Sequence, residues 1–120
     1  MSLKTLVIGA SEKEERYANK AIRQLRQHKH PVVAIGPRKG KVLDVEFDKE
    51  KKDFKEVDTI TLYVGPKNQP EYYDYIVDLK PRRVIFNPGT ENEELYAILK
   101  ENNIASEIAC TLVLLSTNQY

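Results

Sequence analysis

Gly9-Ala10-Ser11 follow the apolar run Leu6-Val7-Ile8 and precede a charged, helix-forming segment. A buried strand that turns on a glycine into a helix sets the helix's free N–H groups beside the strand's carboxyl end. That geometry holds phosphates. The turn departs from the G-x-G-x-x-G dinucleotide pattern, with Ser11 at the second glycine position and Glu14 at the third. Ser11 suits either of two tasks, capping the helix or giving its hydroxyl to a phosphate.

A second chemical signal lies in Gly36-Pro37-Arg38-Lys39-Gly40. An NAD site normally offers an acid near this point to hold the ribose 2′-hydroxyl. Arg38 and Lys39 stand there instead. Two cations at that place fit a phosphate on the ribose, carried at the 3′ position by coenzyme A and at the 2′ position by NADP. The alternative is a solvated basic turn. Lys67, in Gly65-Pro66-Lys67-Asn68, either reaches a diphosphate from the other side or lies idle.

Other reactive groups are sparse. His28 and His30 lie at a helix end, on the amino side of the next strand, where a solvent-exposed loop role is expected. No serine–histidine–acid set or metal-ligand spacing is present, so no catalytic residue is named. Glu12, Glu14 and Glu15 suit the first turn of a helix through the helix dipole, as do Glu91, Glu93 and Glu94. Cys110 follows the last strand at the start of a short helix. It is either a reactive thiol or a small buried apolar residue.

These residues need elements to position them. Lys4 to Ile8 reads as a short buried strand. Glu12 to His28 carries Ala18, Ala21, Ile22 and Leu25 at helical spacing. Val32 to Ile35 is a second strand, and Lys41 to Phe47 an edge strand with Leu43, Val45 and Phe47 alternating. Asp58 to Val64 is the strongest strand, rich in β-branched residues. A helix opened by Pro70 follows, with Tyr72, Tyr73, Ile76, Val77 and Leu79 on its apolar side. Arg83 to Phe86 is a strand, and Thr90 with Glu93 forms a capping box for a helix burying Leu95, Ile98 and Leu99. Ile104 to Ala109 is the last strand, and Cys110 to Leu115 a terminal helix.

The alternation implies an α/β Rossmann-like fold, three layers with a mostly parallel sheet of five to six strands. The Asp58–Val64 strand then lies beside the first, and the switch point between them is where ligands bind, outside the carboxyl ends. All five glycines and half of the prolines fall in the turns after strands. That rim is the one built for close backbone approach.

The 120 residues suffice for one domain. With 41% apolar and 31% charged residues, the composition is that of an ordinary soluble protein. No apolar run approaches the roughly 20 residues of a membrane helix, and no secretory signal pattern opens the chain. A net charge of +1 argues against bulk nucleic-acid binding. One cysteine allows no internal disulfide, so a cytoplasmic, reducing location is expected. The Tyr72, Tyr73, Tyr75 group suits either a homodimer surface or half-buried core.

The sequence resembles the small stand-alone CoA-binding proteins, which are similar to the CoA-binding domain of the succinyl-CoA synthetase α subunit. The resemblance spans essentially the whole chain and rests on VIGAS at 7–11, AIGPRKGK at 34–41, LYVGP at 62–66, NPGTENEEL at 87–95 and ACTLVLL at 109–115. It implies CoA held in an extended pose across the strand ends, and the expected function is binding of CoA or acyl-CoA without turnover. Gly9, Ala10 and Ser11 would lie by the diphosphate, and Pro37, Arg38 and Lys39 by the 3′-phosphoadenosine end. Val64, Gly65 and Pro66 would line the adenine or pantetheine arm. From their own places on the ligand rim, Gly36, Lys67 and Cys110 complete the expected cofactor-binding set, and a reactive Cys110 would form a mixed disulfide with the CoA thiol. An NADP-binding enzyme or regulator is the alternative on this fold. The charged run Lys13 to Arg16 stands where many relatives carry a proline-containing segment. The ligase's phosphohistidine segment is absent, so ligase activity is not implied.

Overall fold

A computed structural model describes residues 2–120. In chain order the elements are β1 (Thr5–Ile8), α1 (Tyr17–Gln27), β2 (Val32–Ile35), β3 (Gly40–Val42), β4 (Val45–Phe47) and β5 (Thr59–Leu62). Two short 3-10 turns, Pro66–Asn68 and Pro70–Tyr72, lead into α2 (Tyr73–Leu79). Then come β6 (Arg83–Phe86), α3 (Glu93–Glu101), β7 (Ala105–Ile108) and α4 (Thr111–Ser116). Five strands form one parallel sheet in the order β2-β1-β5-β6-β7. The chain moves outward in one direction from β1 to β2 and in the other from β5 to β7. This puts the switch point between β1 and β5, as the alternation of strands and helices leads one to expect.

Strand alternation sorts the core onto two faces. Leu6, Ile8, Ile60, Leu62, Val84 and Phe86 face α2 and α3, where they meet Ile76, Leu95 and Leu99. Val7 and Ala34 face the other way, onto Ala18, Ile22 and Leu25 of α1, Leu115 of α4, and Val42, Val45 and Phe47. Leu6, Val7 and Ile8 are all fully buried, which is why β1 reads as a continuous apolar run.

The segment Lys41 to Phe47 differs from the single edge strand expected. It breaks at Leu43, whose φ is 54°, and folds back as an antiparallel hairpin of β3 and β4 in a separate two-stranded sheet. Turning at Leu43-Asp44 leaves Leu43 half exposed and buries Val42 instead. Asp44 meets Arg26 in a bidentate pair at 2.9 Å. An apolar alternation looks the same whether the strand runs straight or turns.

Three local expectations also change. Helix α1 begins at Tyr17 rather than Glu12, because residues 12–16 offer no apolar side chain to pack. Helix α3 is capped by Asn92, whose side chain accepts from the N–H groups of Glu94 and Leu95. Thr90 instead closes the preceding turn by donating to the Asn87 carbonyl at 2.8 Å. His30 is buried: its Nδ1 accepts the Leu3 N–H at 2.9 Å, and its ring lies 4.9 Å from that of Tyr120. Of the two histidines, only His28 is exposed. The three tyrosines of the 72–75 stretch are half buried against the core. Tyr75 donates its hydroxyl to the Lys52 carbonyl, and the Lys51 ammonium lies 5.1 Å from the Tyr72 ring.

Candidate functional site

The first turn is fixed by close backbone approach. Gly9 has a φ of 103°, and a Cβ there would stand 2.7 Å from the Tyr63 carbonyl oxygen. Only glycine fits both demands. The N–H groups of Gly9 and Ala10 both donate to the Ile35 carbonyl, at 2.8 and 2.9 Å. Ser11 does not cap α1. Its hydroxyl accepts the Lys13 N–H at 3.1 Å, and its carbonyl accepts from the amide of the fully buried Asn19 at 3.0 Å. The loop is thereby held off the helix, which starts at Tyr17 after Arg16, with no side-chain cap. The N–H groups of that first helical turn have no intrahelical acceptor, so this end of α1 still presents donors and positive dipole.

The second turn leaves β2 through Gly36, whose N–H donates to the Asp48 carbonyl at 3.0 Å. Pro37, Arg38 and Lys39 are exposed beyond it, and Arg38 and Lys39 form no ion pair among the described residues. Phe47 of β4 is buried beneath them.

The third and fourth turns are tied together by one buried amide. Gln69, fully buried, donates from Nε2 to the carbonyls of Val64 (3.0 Å) and Thr90 (2.8 Å) and accepts from Asn92 at 2.8 Å. Asn87, 2% exposed, donates to the Thr61 hydroxyl and the Leu62 carbonyl, and accepts the Thr111 N–H at 2.9 Å. It thus locks the start of α4 to the ends of β5 and β6.

Between these turns lies a cavity of about 640 Å³, above the switch point of β1 and β5. Ligand pockets span about 300–1,000 Å³. Of the residues singled out from the sequence, Gly9, Ala10, Ser11, Pro37, Arg38, Lys39, Val64 and Gly65 line it. Gly36, Pro66, Lys67 and Cys110 do not. Gly36 backs onto Ala10, while Pro66 and Lys67 turn outward on an exposed 3-10 turn. Cys110 leaves β7 where the chain crosses back over β6 towards β5, since Thr111 bonds to Asn87 and Thr61, so its thiol stands behind Tyr63 rather than on the cavity wall.

The cavity also recruits residues that sequence reasoning did not place there. Lys13 and Arg16 line it, so four cations face one space. The charged run at 13–16 was visible, but its direction depends on the loop held by Asn19. Pro88, Gly89 and Thr90 form the opposite wall. Tyr63 also lines the cavity, and its hydroxyl is buried with no hydrogen-bond partner among the described residues. Burial first, and the Cys110 thiol second, raise the tendency of that phenol to stay protonated. Among the described residues no three His, Cys, Asp or Glu side chains converge as a metal site would require. The arrangement can bind a multiply charged anion that extends from the cationic side to the neutral side.

Comparison with known proteins agrees with this architecture. One solved structure, of an uncharacterised protein, is 48% identical, superposes with a TM-score of 0.97, and covers 100% of this chain and 99% of its own. A Thermus thermophilus protein gives a TM-score of 0.87 at 20% identity, covering 99% of this chain and 91% of that one. A hypothetical protein from Pyrococcus horikoshii gives 0.86 at 24% identity, covering 97% and 83%. These last two share the fold. No curated protein matches. The family described as CoA binding domain matches residues 4–116, and the chain belongs to that family.

Proposed function

We propose that this protein binds coenzyme A or an acyl-CoA in the cavity at the carboxyl ends of the strands and carries out no turnover of its own. The observation that carries this is the lining of one cavity at the switch point by Lys13, Arg16, Arg38 and Lys39, in a chain of a CoA-binding family. The donors fit the ligand's charge. The 3′-phosphate lies with Arg38 and Lys39, and the diphosphate with the Gly9–Ser11 turn, Lys13, Arg16 and the start of α1. The pantetheine arm runs along Val64, Gly65 and the Pro88–Thr90 wall. CoA itself supplies a thiol able to carry an acyl group as a thioester. Gly36, Pro66, Lys67 and Cys110 stand behind or beside this wall and make no direct contact.

Thermal unfolding with CoA, acetyl-CoA, NADP and NAD side by side tests the proposal. A ligand at 100 times its dissociation constant adds about 2.7 kcal/mol. Stabilisation by CoA and acetyl-CoA is expected. Stabilisation by NADP without CoA would replace the proposal with an NADP site, since Arg38 and Lys39 suit a 2′-phosphate equally by charge.

A further inference from the structure

Among the described residues, Glu12 is the one acidic side chain lining a cavity edged by Lys13, Arg16, Arg38 and Lys39. A carboxylate at that place opposes anion binding by charge alone. Its contacts give it another task. Glu12 Oε2 accepts the backbone N–H of Lys41 at 2.9 Å, a bond that spans 29 residues and joins the first turn to the start of β3. A Cβ on Gly40 would come within 2.7 Å of Glu12 Cγ and 2.8 Å of the Phe47 ring. Gly40 therefore leaves the space that lets the Glu12 side chain lie against the hairpin. Glu12 takes part in no ion pair among the described residues.

The Arg38–Lys39 turn has two anchors. On the Gly36 side its backbone is pinned by the bond from Gly36 N–H to Asp48. On the Gly40 side the hairpin forms a separate two-stranded sheet, held to α1 by Arg26–Asp44 and by buried Val42, Val45 and Phe47, and the Glu12 carboxylate supplies its side-chain bond to the first turn. We propose that Glu12 is a positioning residue that fixes the Arg38–Lys39 turn against the first turn, so that both cations meet the ligand's 3′-phosphate already in place. Preorganised groups bind more tightly because less order is lost on binding. This inference rests on the CoA reading of the site.

Calorimetric titration of wild type, Glu12→Ala and Glu12→Gln, each with CoA and with dephospho-CoA, separates the possibilities. The ratio of the two dissociation constants measures what the 3′-phosphate contributes. Glu12→Ala is expected to shrink that ratio about tenfold, the scale of one charge-assisted hydrogen bond, while dephospho-CoA binding stays near wild type. Glu12→Gln keeps an oxygen that accepts from Lys41 and so preserves the ratio or increases it. If Glu12 acts only as a repelling charge, both variants enlarge the ratio, and the inference is overturned. An unchanged ratio in Glu12→Ala, or an equal loss of both ligands, overturns it too. Failure of the CoA reading would be seen separately, as wild type binding neither ligand, and it would remove the inference with it.

Discussion

Around the cavity, the half formed by the first two turns presents exposed cations, while the half formed by the third and fourth turns is neutral and anchored by buried amides. Arg38 and Lys39 stand in solvent on a turn whose Gly40 side is tied to the first loop by one exposed hydrogen bond, from the Lys41 N–H to the Glu12 carboxylate. Val64 and Thr90, by contrast, hang on Gln69, and the ends of β5 and β6 hang on Asn87, both of which lie in the core. An exposed cation costs little to hold and keeps its attraction for an anion. A buried amide with every bond made is costly to disturb. Under the proposed CoA reading the difference divides the labour: one half would select by charge, and the other would supply a wall of fixed shape.

The comparison makes four predictions. Asn87→Ala should be the most damaging, because it leaves the Thr111 N–H and the Leu62 carbonyl without their bonds inside the protein. A loss of about 3 kcal/mol in urea unfolding is expected, and a loss below 1 kcal/mol would show that the neutral half is not rigidly anchored. The double variant Arg38→Glu with Lys39→Glu should do the reverse. Its folding stability should stay within about 0.5 kcal/mol of wild type, as for exposed sites generally, while the roughly 2.7 kcal/mol of stabilisation by saturating CoA disappears in thermal unfolding.

Gln69→Ala should cost about 2 kcal/mol, since the Val64 and Thr90 carbonyls lose their shared donor. Calorimetry should show weaker binding of CoA and dephospho-CoA by the same factor, because the proposed place of the 3′-phosphate is on the other half. A loss confined to CoA would dissolve the division. The smallest effect comes from outside both halves. Burial, reinforced by His28 and Arg83, lowers the pKa of His30 from 6.5. The unfolded chain therefore takes up a proton first as pH falls, so stability is full above about pH 6.5 and declines below it until the folded-state pKa is passed. In His30→Gln that component of the acid loss should vanish from pH-dependent unfolding curves, with CoA affinity unchanged.

Much of the fold was legible because its signals are local. Gly9 and the apolar run before it mark a strand end within a few residues, and five such ends with intervening helices imply a parallel sheet with β1 beside β5. The cationic turn was legible for the same reason: Arg38 and Lys39 sit directly after a strand-ending Gly36-Pro37. The anchors of the neutral half were not. Gln69 and Asn87 look like ordinary loop amides, and their importance comes from partners 21 to 26 residues away. Thr90 and Glu93 matched a capping box in spacing, yet Asn92 takes that place because Thr90 is committed to closing the turn on Asn87.

The sequence by itself determined the order of strands and helices, the family, and the chemistry of the Gly9 and Arg38–Lys39 turns, because periodicity, glycine and charge act over short spans. Only the tertiary structure decided that Lys13 and Arg16 join the same cavity, that residues 41–47 double back as a hairpin, and that Glu12 bonds across to Lys41. Those outcomes depend on which backbone groups meet after folding. The residue types alone leave that open.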